Sequence, residues 1–214
     1  MDLVLFGIQG SGKGTQSTEI CKHCNLSVFE TGAELRRIAG EETELGSKVK
    51  SIIEAGNLVP TEVVMEIIKD FLSHLPSGAN ALFDGIPRSM EQKDQFDTLM
   101  QSEGREFKGL LIDLSEEEAL SRLTTRRICE KCKATYPAFY TKDSCEACGG
   151  ALITRKDDTP DAIRTRLDTF TQKTLPVINL YKTQGKMLTV DGKKSIEAVT
   201  KDIQTVLAPH FTWK

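Results

Sequence analysis

The sequence predicts an α/β fold in which helices cover both faces of a five-stranded parallel sheet. Apolar runs of four or five residues recur along the 214-residue chain, and longer segments with helical periodicity separate them. A glycine-rich loop also follows the first apolar run directly. Strands that alternate with helices are typical of parallel sheets, because each parallel connection needs a crossover. The length fits one core that carries small insertions.

The elements can be assigned in chain order from apolar runs and capping signals. The candidate strands are Leu3–Phe6, Val28–Phe29, Ala81–Phe83, Leu110–Leu114 and Met187–Val190. Ser115 and Glu118 form a capping box that predicts a helix start. Thr61 precedes a second apolar helical pattern, and Thr159 followed by Pro160 is typical of a third helix start.

Composition excludes several classes of protein. Hydrophobic residues make up 39% of the chain and charged residues 28%, and the net charge is -3, which gives no reason to expect binding to nucleic acid or membrane surfaces. No apolar run approaches the roughly 18 residues of a membrane span. The N-terminus leads straight into a strand without the pattern of a secretory signal. We therefore expect a cytoplasmic protein whose six cysteines are thiols or metal ligands.

The segment Gly7–Lys13 is a candidate phosphate-binding loop, because a strand precedes it and a helix pattern follows it. Glycines let backbone N–H groups point at phosphate oxygens, the helix N-terminus adds partial positive charge, and Lys13 supplies a mobile cation. Gly14 occupies the position where most such loops have Ser or Thr, so a hydroxyl comes only at Thr15. The usual hydroxyl ligand of magnesium is therefore shifted or absent. The candidate ATP-binding residues here are Gly10, Ser11, Gly12, Lys13, Gly14 and Thr15.

Four cysteines predict a metal site within an insertion that lacks helical periodicity. Cys129 and Cys132 are separated by two residues, as are Cys145 and Cys148, and twelve residues separate the pairs. Four thiolates complete a tetrahedron and leave no position for substrate, so the metal should be structural. Zinc is expected, although iron and cobalt are compatible with the same ligands. The Cys21-x2-Cys24 pair has no second pair, and we interpret it as buried helical thiols.

Four segments together resemble the nucleoside monophosphate kinases, and specifically the adenylate kinases. They are Gly12–Gln16, Thr31–Arg36, Ala81–Arg88 and Thr154–Asp158. The resemblance extends from Met1 to about Val206. It implies a P-loop NTPase-type fold and the reaction MgATP + AMP ⇌ 2 ADP, with a role in adenine nucleotide homeostasis. The long lid with four cysteines resembles that of many bacterial members with zinc.

The resemblance also implies an AMP site. Arg36 and Arg88 grip the AMP phosphate, which suits the flat, forked guanidinium. Gln92 reads the base, because an amide can match the adjacent donor and acceptor of adenine. Thr31 favours AMP, since the pyrimidine monophosphate kinases carry alanine there. The implied AMP contacts are Thr31, Gly32, Arg36, Val59, Gly85, Arg88 and Gln92.

On the ATP side, the resemblance implies that Arg122 stacks on adenine and that Arg126, Arg155 and Arg166 close on the phosphates. Asp84 ends an apolar strand, where a carboxylate can hold Mg²⁺ directly or through water. Asp157 and Asp158 are expected to hinge the lid and pair with arginines. The implied catalytic set is Lys13, Arg88, Arg126, Arg155 and Arg166. Neighbouring Arg37, Arg127 and Arg164 are interpreted as solvent-facing or structural.

The implied division is a core formed by residues 1–30, 60–121 and 161–214, an AMP-binding insertion at 31–59, and a metal-binding lid at 122–160. We expect a monomer. Gln9, Glu30 and Ala33 depart from the family pattern, and the last two border the AMP pocket. Two alternatives remain: a related kinase that uses GTP or a pyrimidine nucleotide, and a non-catalytic nucleic-acid-binding zinc ribbon on a degenerate nucleotide fold.

Overall fold

The computed structural model describes residues 1–137, 140–155 and 158–214. Its main sheet has five parallel strands in the order β2-β3-β1-β4-β8. These strands are β1 Asp2–Phe6, β2 Ser27–Glu30, β3 Ala81–Asp84, β4 Phe107–Asp113 and β8 Met187–Asp191. The predicted fold class is therefore confirmed, although β4 begins three residues before the expected strand and ends before Leu114.

Helices α1 to α9 occupy both sides of this sheet and the segments between its strands. Their bounds are α1 Lys13–Cys24, α2 Thr31–Ala39, α3 Glu44–Glu54, α4 Thr61–Ser73, α5 Met90–Ser102, α6 Glu116–Thr125, α7 Pro160–Thr169, α8 Leu175–Thr183 and α9 Ile196–Leu207. A π-helical turn, Phe170–Thr174, joins α7 to α8. None of the described helices is long and apolar enough to cross a membrane.

Strand β1 shows that apolar side chains lie on both faces of the main sheet, so helices must pack on both. Its residues alternate between two hydrophobic clusters, with Leu3 and Leu5 in one and Val4 and Phe6 in the other. Successive strand side chains point to opposite faces, so each of the four apolar residues of this strand faces a packed layer. Ile203 of α9 belongs to the first cluster, and helices α5 and α8 pack on the opposite face.

Local capping signals mostly behave as predicted. Ser115 Oγ accepts a hydrogen bond from Glu118 N at 3.3 Å, and Thr159 Oγ1 accepts one from Ala162 N at 3.3 Å. Thr61 differs, because it is the first helical residue of α4 and makes no side-chain cap. The cap position is taken instead by Pro60, whose ψ of 138° is not helical.

A smaller antiparallel sheet lies between α6 and α7. Its strands are β5 Arg127–Cys129, β6 Thr135–Tyr136 and β7 Leu152–Ile153, in the order β6-β5-β7. Helix α6 continues through Arg122 to Thr125 and packs Leu123 with Ile8 of the glycine-rich loop. The short sheet therefore follows a helix that is anchored next to that loop.

Candidate active site

The carboxyl ends of the main strands converge on one cleft of about 880 Å³. Strand β1 lies at the switch point of the sheet, because its neighbours β3 and β4 lie on opposite sides. Ligands of open parallel sheets bind outside such a point. All the predicted nucleotide-contacting residues line this cleft. They are Gly10, Ser11, Gly12, Lys13, Gly14, Thr15, Thr31, Gly32, Arg36, Val59, Asp84, Gly85, Arg88, Gln92, Arg122, Arg126, Arg155 and Arg166.

The loop after β1 has the backbone geometry that phosphate binding requires. Gly10 and Gly12 have φ values of 90° and 95°, which disfavour any residue with a side chain. Gly12 caps α1, so the partial positive charge of the helix N-terminus faces the cleft. Ser11 Oγ is buried and makes no hydrogen bond to a described residue.

Lys13 is held by neutral groups of this loop. Its Nζ donates to Gly7 O at 2.7 Å and to Ile8 O at 3.2 Å. Burial lowers the pKa of Lys13 to about 8, and nearby Asp84 opposes this effect. The ammonium therefore lies in a partly desolvated site close to Arg88 and Arg126, where a phosphate would stabilise its charge.

Asp84 lies at the end of β3, opposite Leu5 of β1 and Glu30 of β2 in the strand register. It is buried, and this burial raises its pKa, whereas the charge of Lys13 acts in the opposite direction. A buried carboxylate beside a phosphate loop fits Mg²⁺, which binds one or two carboxylates together with substrate phosphates.

The turn after β3 aims Arg88 into the cleft. Gly85 has φ 84°, which side-chain-bearing residues rarely adopt, and a Cβ there would lie 2.5 Å from Arg88 Nη2, so a substitution would strain the turn and displace the guanidinium. Arg88 Nε donates to Gly85 O at 2.7 Å. Burial lowers the pKa of Arg88, as does the proximity of Arg166, whereas Asp84 raises it. Arg88 therefore lies close to other arginines, although their positive charges repel each other.

Gln92 is buried in the first turn of α5. Its Oε1 accepts a hydrogen bond from Arg88 N at 2.8 Å. The same amide therefore fixes the Arg88 backbone and lines the cleft. An amide oxygen has two lone pairs, so this bond leaves Gln92 able to accept a second hydrogen bond as well as donate.

Thr31 is the first residue of α2 and, like Gln92, lines the cleft. Its Oγ1 is buried and has no hydrogen-bond partner among the described residues. One turn along the helix, Arg36 Nη2 lies 3.4 Å from Glu30 Oε1. A buried hydroxyl without a partner costs free energy, which favours a polar ligand at this end of the cleft.

Asp158 organises the arginines that flank the lid. Its two oxygens accept hydrogen bonds from Arg126 Nη2 at 2.7 Å and 2.6 Å, and Oδ1 also accepts one from Arg166 Nη2 at 2.6 Å. Its side chain is 0% exposed. The pairing expected for Asp158 is thus present, whereas Lys156 and Asp157 lie outside the described residues.

The remaining arginines differ in surroundings. Arg122 Nη2 donates to Gly192 O at 2.9 Å. Arg37 pairs with Glu34 and Glu41 on the outer side of α2 and is 61% exposed. Arg127 donates to Tyr140 O, and Arg164 is exposed. Among these, only Arg122 lines the cleft.

The four predicted cysteines come together. Their Sγ atoms all lie within 4.8 Å of one another, with Cys129–Cys148 and Cys132–Cys145 at 3.4 Å. Thiolates at the corners of a Zn–S tetrahedron with bonds of about 2.3 Å are roughly 3.8 Å apart, so the cluster is compatible with zinc. Gly150 is required here, since a Cβ would lie 2.8 Å from Cys129 Sγ.

The tyrosine next to this cluster, Tyr136, forms a hydrogen bond with one of its sulfur atoms. Tyr136 OH donates to Cys145 Sγ at 3.0 Å and lowers the pKa of Cys145 to about 6, which favours the thiolate that a metal needs. By contrast, burial raises the pKa of Cys21 to about 11 and also raises that of Cys24. Those two thiols are half-buried on α1, as expected of helical packing residues.

Sequence analysis missed two parts of the cleft wall. One part consists of residues 192–197 after β8 together with residues 135–137 of the lid. Four apolar residues, Leu35, Ile53, Leu58 and Val64, line the cleft near Thr31. The loop carries no motif, three of the apolar residues lie on helices with the spacing of core residues, and Leu58 lies between α3 and α4, so nothing in the sequence set them apart.

Comparison with known proteins agrees with this arrangement. A family model described as adenylate kinase matches residues 5–186. Adenylate kinases from Staphylococcus aureus and Staphylococcus epidermidis are 37% and 36% identical to this chain over 212 residues, covering 97% of it and 99% of each relative. The chain therefore belongs to the adenylate kinase family.

Proposed function

We propose that this protein transfers the terminal phosphoryl group of MgATP to AMP, giving two ADP, in the cleft at the carboxyl edge of the main sheet. The observation that carries the proposal is the shared lining of one cleft by Lys13 and five arginines, Arg36, Arg88, Arg126, Arg155 and Arg166. Phosphoryl transfer needs alignment and positive charge around the moving group, and little covalent chemistry.

The acceptor is AMP, bound at the end of the cleft where α2 and α5 begin. The unpartnered Thr31 hydroxyl and the amide of Gln92 supply hydrogen bonds for adenine. Val59 and the apolar residues beside it supply the flat surface that a base requires. Gly32 and Gly85 keep the backbone open next to Arg36 and Arg88, which take the phosphate.

The donor is ATP, with its phosphates in the loop from Gly10 to Thr15. Lys13 follows the transferring group, because its present partners are backbone carbonyls that a phosphate oxygen can replace. Arg126, Arg155 and Arg166 surround the phosphates from the lid side and stabilise the charge of the transition state. Arg122 and the loop at 192–197 hold the adenine.

Two metal ions belong to this proposal. When bound, Mg²⁺ neutralises the nucleotide phosphates, and Asp84 would hold it directly or through water. Zinc would be held by Cys129, Cys132, Cys145 and Cys148. With four protein ligands it is structural, so the cysteines take no part in the transfer.

We propose the same division of the chain as the sequence predicted. Residues 31–59 form the AMP-binding insertion, residues 122–160 form the lid, and the rest forms the core of a cytoplasmic monomer. Lid closure excludes water and completes the set of arginines. The internal sheet of the lid lets it move as one body.

The experiment is a coupled assay for ADP with ATP and AMP, followed by kcat/KM for AMP, CMP, UMP and GMP. A preference for AMP is expected from Thr31 and Gln92. A preference for CMP or UMP would show that the base-contact assignment is wrong. Replacing ATP with GTP tests the donor, and a faster reaction with GTP would contradict the donor assignment.

A further inference from the structure

Tyr136 belongs to two sites at once. Its hydroxyl donates to Cys145 Sγ at 3.0 Å and accepts a hydrogen bond from Glu146 N at 2.9 Å. The same residue lines the nucleotide cleft, between Thr135 and Pro137 on strand β6 and its end. It is buried, so one residue borders both the metal-binding cluster and the cleft.

The Tyr136 hydroxyl makes its hydrogen bonds with the segment that carries Cys145. It uses its single proton on sulfur and receives a backbone N–H in return, so its orientation is fixed by two groups on the Cys145–Glu146 segment. Hydrogen bonds to a metal ligand from neighbouring residues orient that ligand and tune how strongly it binds the metal. Movement of Tyr136 therefore changes the environment of the Cys145 sulfur.

We infer that Tyr136 couples nucleotide binding to metal retention, an inference that rests on the proposed binding of MgATP in this cleft. A nucleotide that contacts β6 restrains Tyr136 in the position where its hydroxyl meets Cys145 Sγ. The restrained hydroxyl keeps the sulfur oriented toward the other three thiolates and slows its dissociation from the metal. Coupling between two sites is reciprocal, so the loaded metal site also strengthens nucleotide binding.

Tyr140 provides a matched control. It lies in the same lid, its ring centroid is 4.4 Å from that of Tyr136, and its hydroxyl donates to Ser144 O at 2.8 Å. Tyr140→Phe thus removes one hydroxyl and one hydrogen bond close by, without touching a sulfur. A purely structural effect of losing a lid hydroxyl would appear in both variants.

The test measures release of zinc(II) from the zinc-loaded full-length protein to a chromogenic chelator, with and without saturating MgATP. We expect Tyr136→Phe to release zinc about tenfold to a hundredfold faster than wild type, the range typical of lost ligand-orienting contacts. Tyr140→Phe should release it at nearly the wild-type rate. MgATP should slow release from wild type and Tyr140→Phe but not from Tyr136→Phe.

Equal release from the two variants, or equal protection by MgATP, would overturn the inference. Equilibrium dialysis of MgATP separates this failure from failure of the proposed function. Absence of binding overturns both, whereas binding that leaves zinc release unchanged overturns the coupling alone. If Tyr136→Phe does not fold, the effect of MgATP on wild-type release still decides the question.

Discussion

Replacement of Asp158 by Asn should weaken both the fold and catalysis. The Asp158 side chain is 0% exposed, and those of Arg126 and Arg166, which bond it, are 16% and 11% exposed. Removing one partner of a buried ion pair typically costs 3–5 kcal/mol. Asn retains one oxygen acceptor, so we expect the lower end, about 3 kcal/mol.

That loss should lower the melting temperature by roughly 6–12 °C, since 1 kcal/mol corresponds to about 2–4 °C in a chain of this size. Turnover should fall about a hundredfold, because displaced arginines no longer align the phosphates and misplacement by about 1 Å can cost that much. Saturating MgATP and AMP should restore part of the stability, because their phosphates replace the lost negative charge.

Differential scanning calorimetry and the coupled ADP assay measure these effects. Asp161→Asn is the control, because Asp161 lies in the first turn of α7 but is exposed, where an acidic residue contributes only about 0.3–1 kcal/mol. If Asp158→Asn melted and turned over like Asp161→Asn, the argument that Asp158 positions the arginines would be refuted.

Three other perturbations test the site. Lys13→Met should reduce turnover about a hundredfold or more, and turnover like that of the wild type would contradict the phosphate-loop assignment. In the wild type, kcat/KM should fall as pH rises through about 8, where the Lys13 ammonium loses its proton. Cys129→Ser and Cys148→Ser should lower the melting temperature and the metal content by elemental analysis while leaving measurable activity, and a folded but inactive variant would argue against a structural metal. Glu30 pairs with Arg36 and should compete with the AMP phosphate for it, so Glu30→Gln should lower the KM for AMP with kcat little changed. The decrease should be at most about fivefold, because an exposed ion pair contributes at most about 1 kcal/mol, and an unchanged KM would show that Glu30 does not compete.

Strands were predicted correctly where apolar residues follow one another, whereas the start of β4 was missed because polar and glycine residues interrupt its apolar run. Strand β4 starts at Phe107, but Lys108 and Gly109 interrupt its apolar run. Gly109 is nonetheless suited to the strand, because a Cβ there would lie 2.8 Å from Met187 Sδ. Only the neighbouring strand explains the glycine, and a single sequence does not reveal which strands are neighbours.

The candidate site was predictable where one short segment supplies its chemistry. The phosphate loop and the cysteine pairs carry their ligands at fixed spacing, so residue type and order are sufficient. The contacts of Tyr136 with Cys145, and of Arg122 with Gly192, join residues 9 and 70 positions apart. Such contacts depend on how separate elements pack, which local propensity does not encode.

Lys13 and Arg88 differ from Arg126 in the charge of the groups that they bond. Lys13 and Arg88 donate to the neutral carbonyl oxygens of Gly7 and Gly85, each at 2.7 Å. Hydrogen bonds to an ionised acceptor are roughly twice as strong as neutral ones, so a phosphate displaces these carbonyls with a net gain. We therefore propose that these two cations exchange their carbonyl partners for substrate phosphate.

Arg126 is held differently, because its partner Asp158 is itself charged and buried. A phosphate gains little by displacing a carboxylate, so this ion pair should persist when nucleotide binds. A guanidinium carries five N–H donors, and Asp158 engages those on Nε and Nη2 of Arg126, so binding a phosphate does not require breaking the pair. Asp158 thus fixes the direction of approach on the lid side, while the carbonyl-bound cations on the core side remain exchangeable. That asymmetry suits an enzyme that must hold its lid arginines in register yet release two ADP molecules.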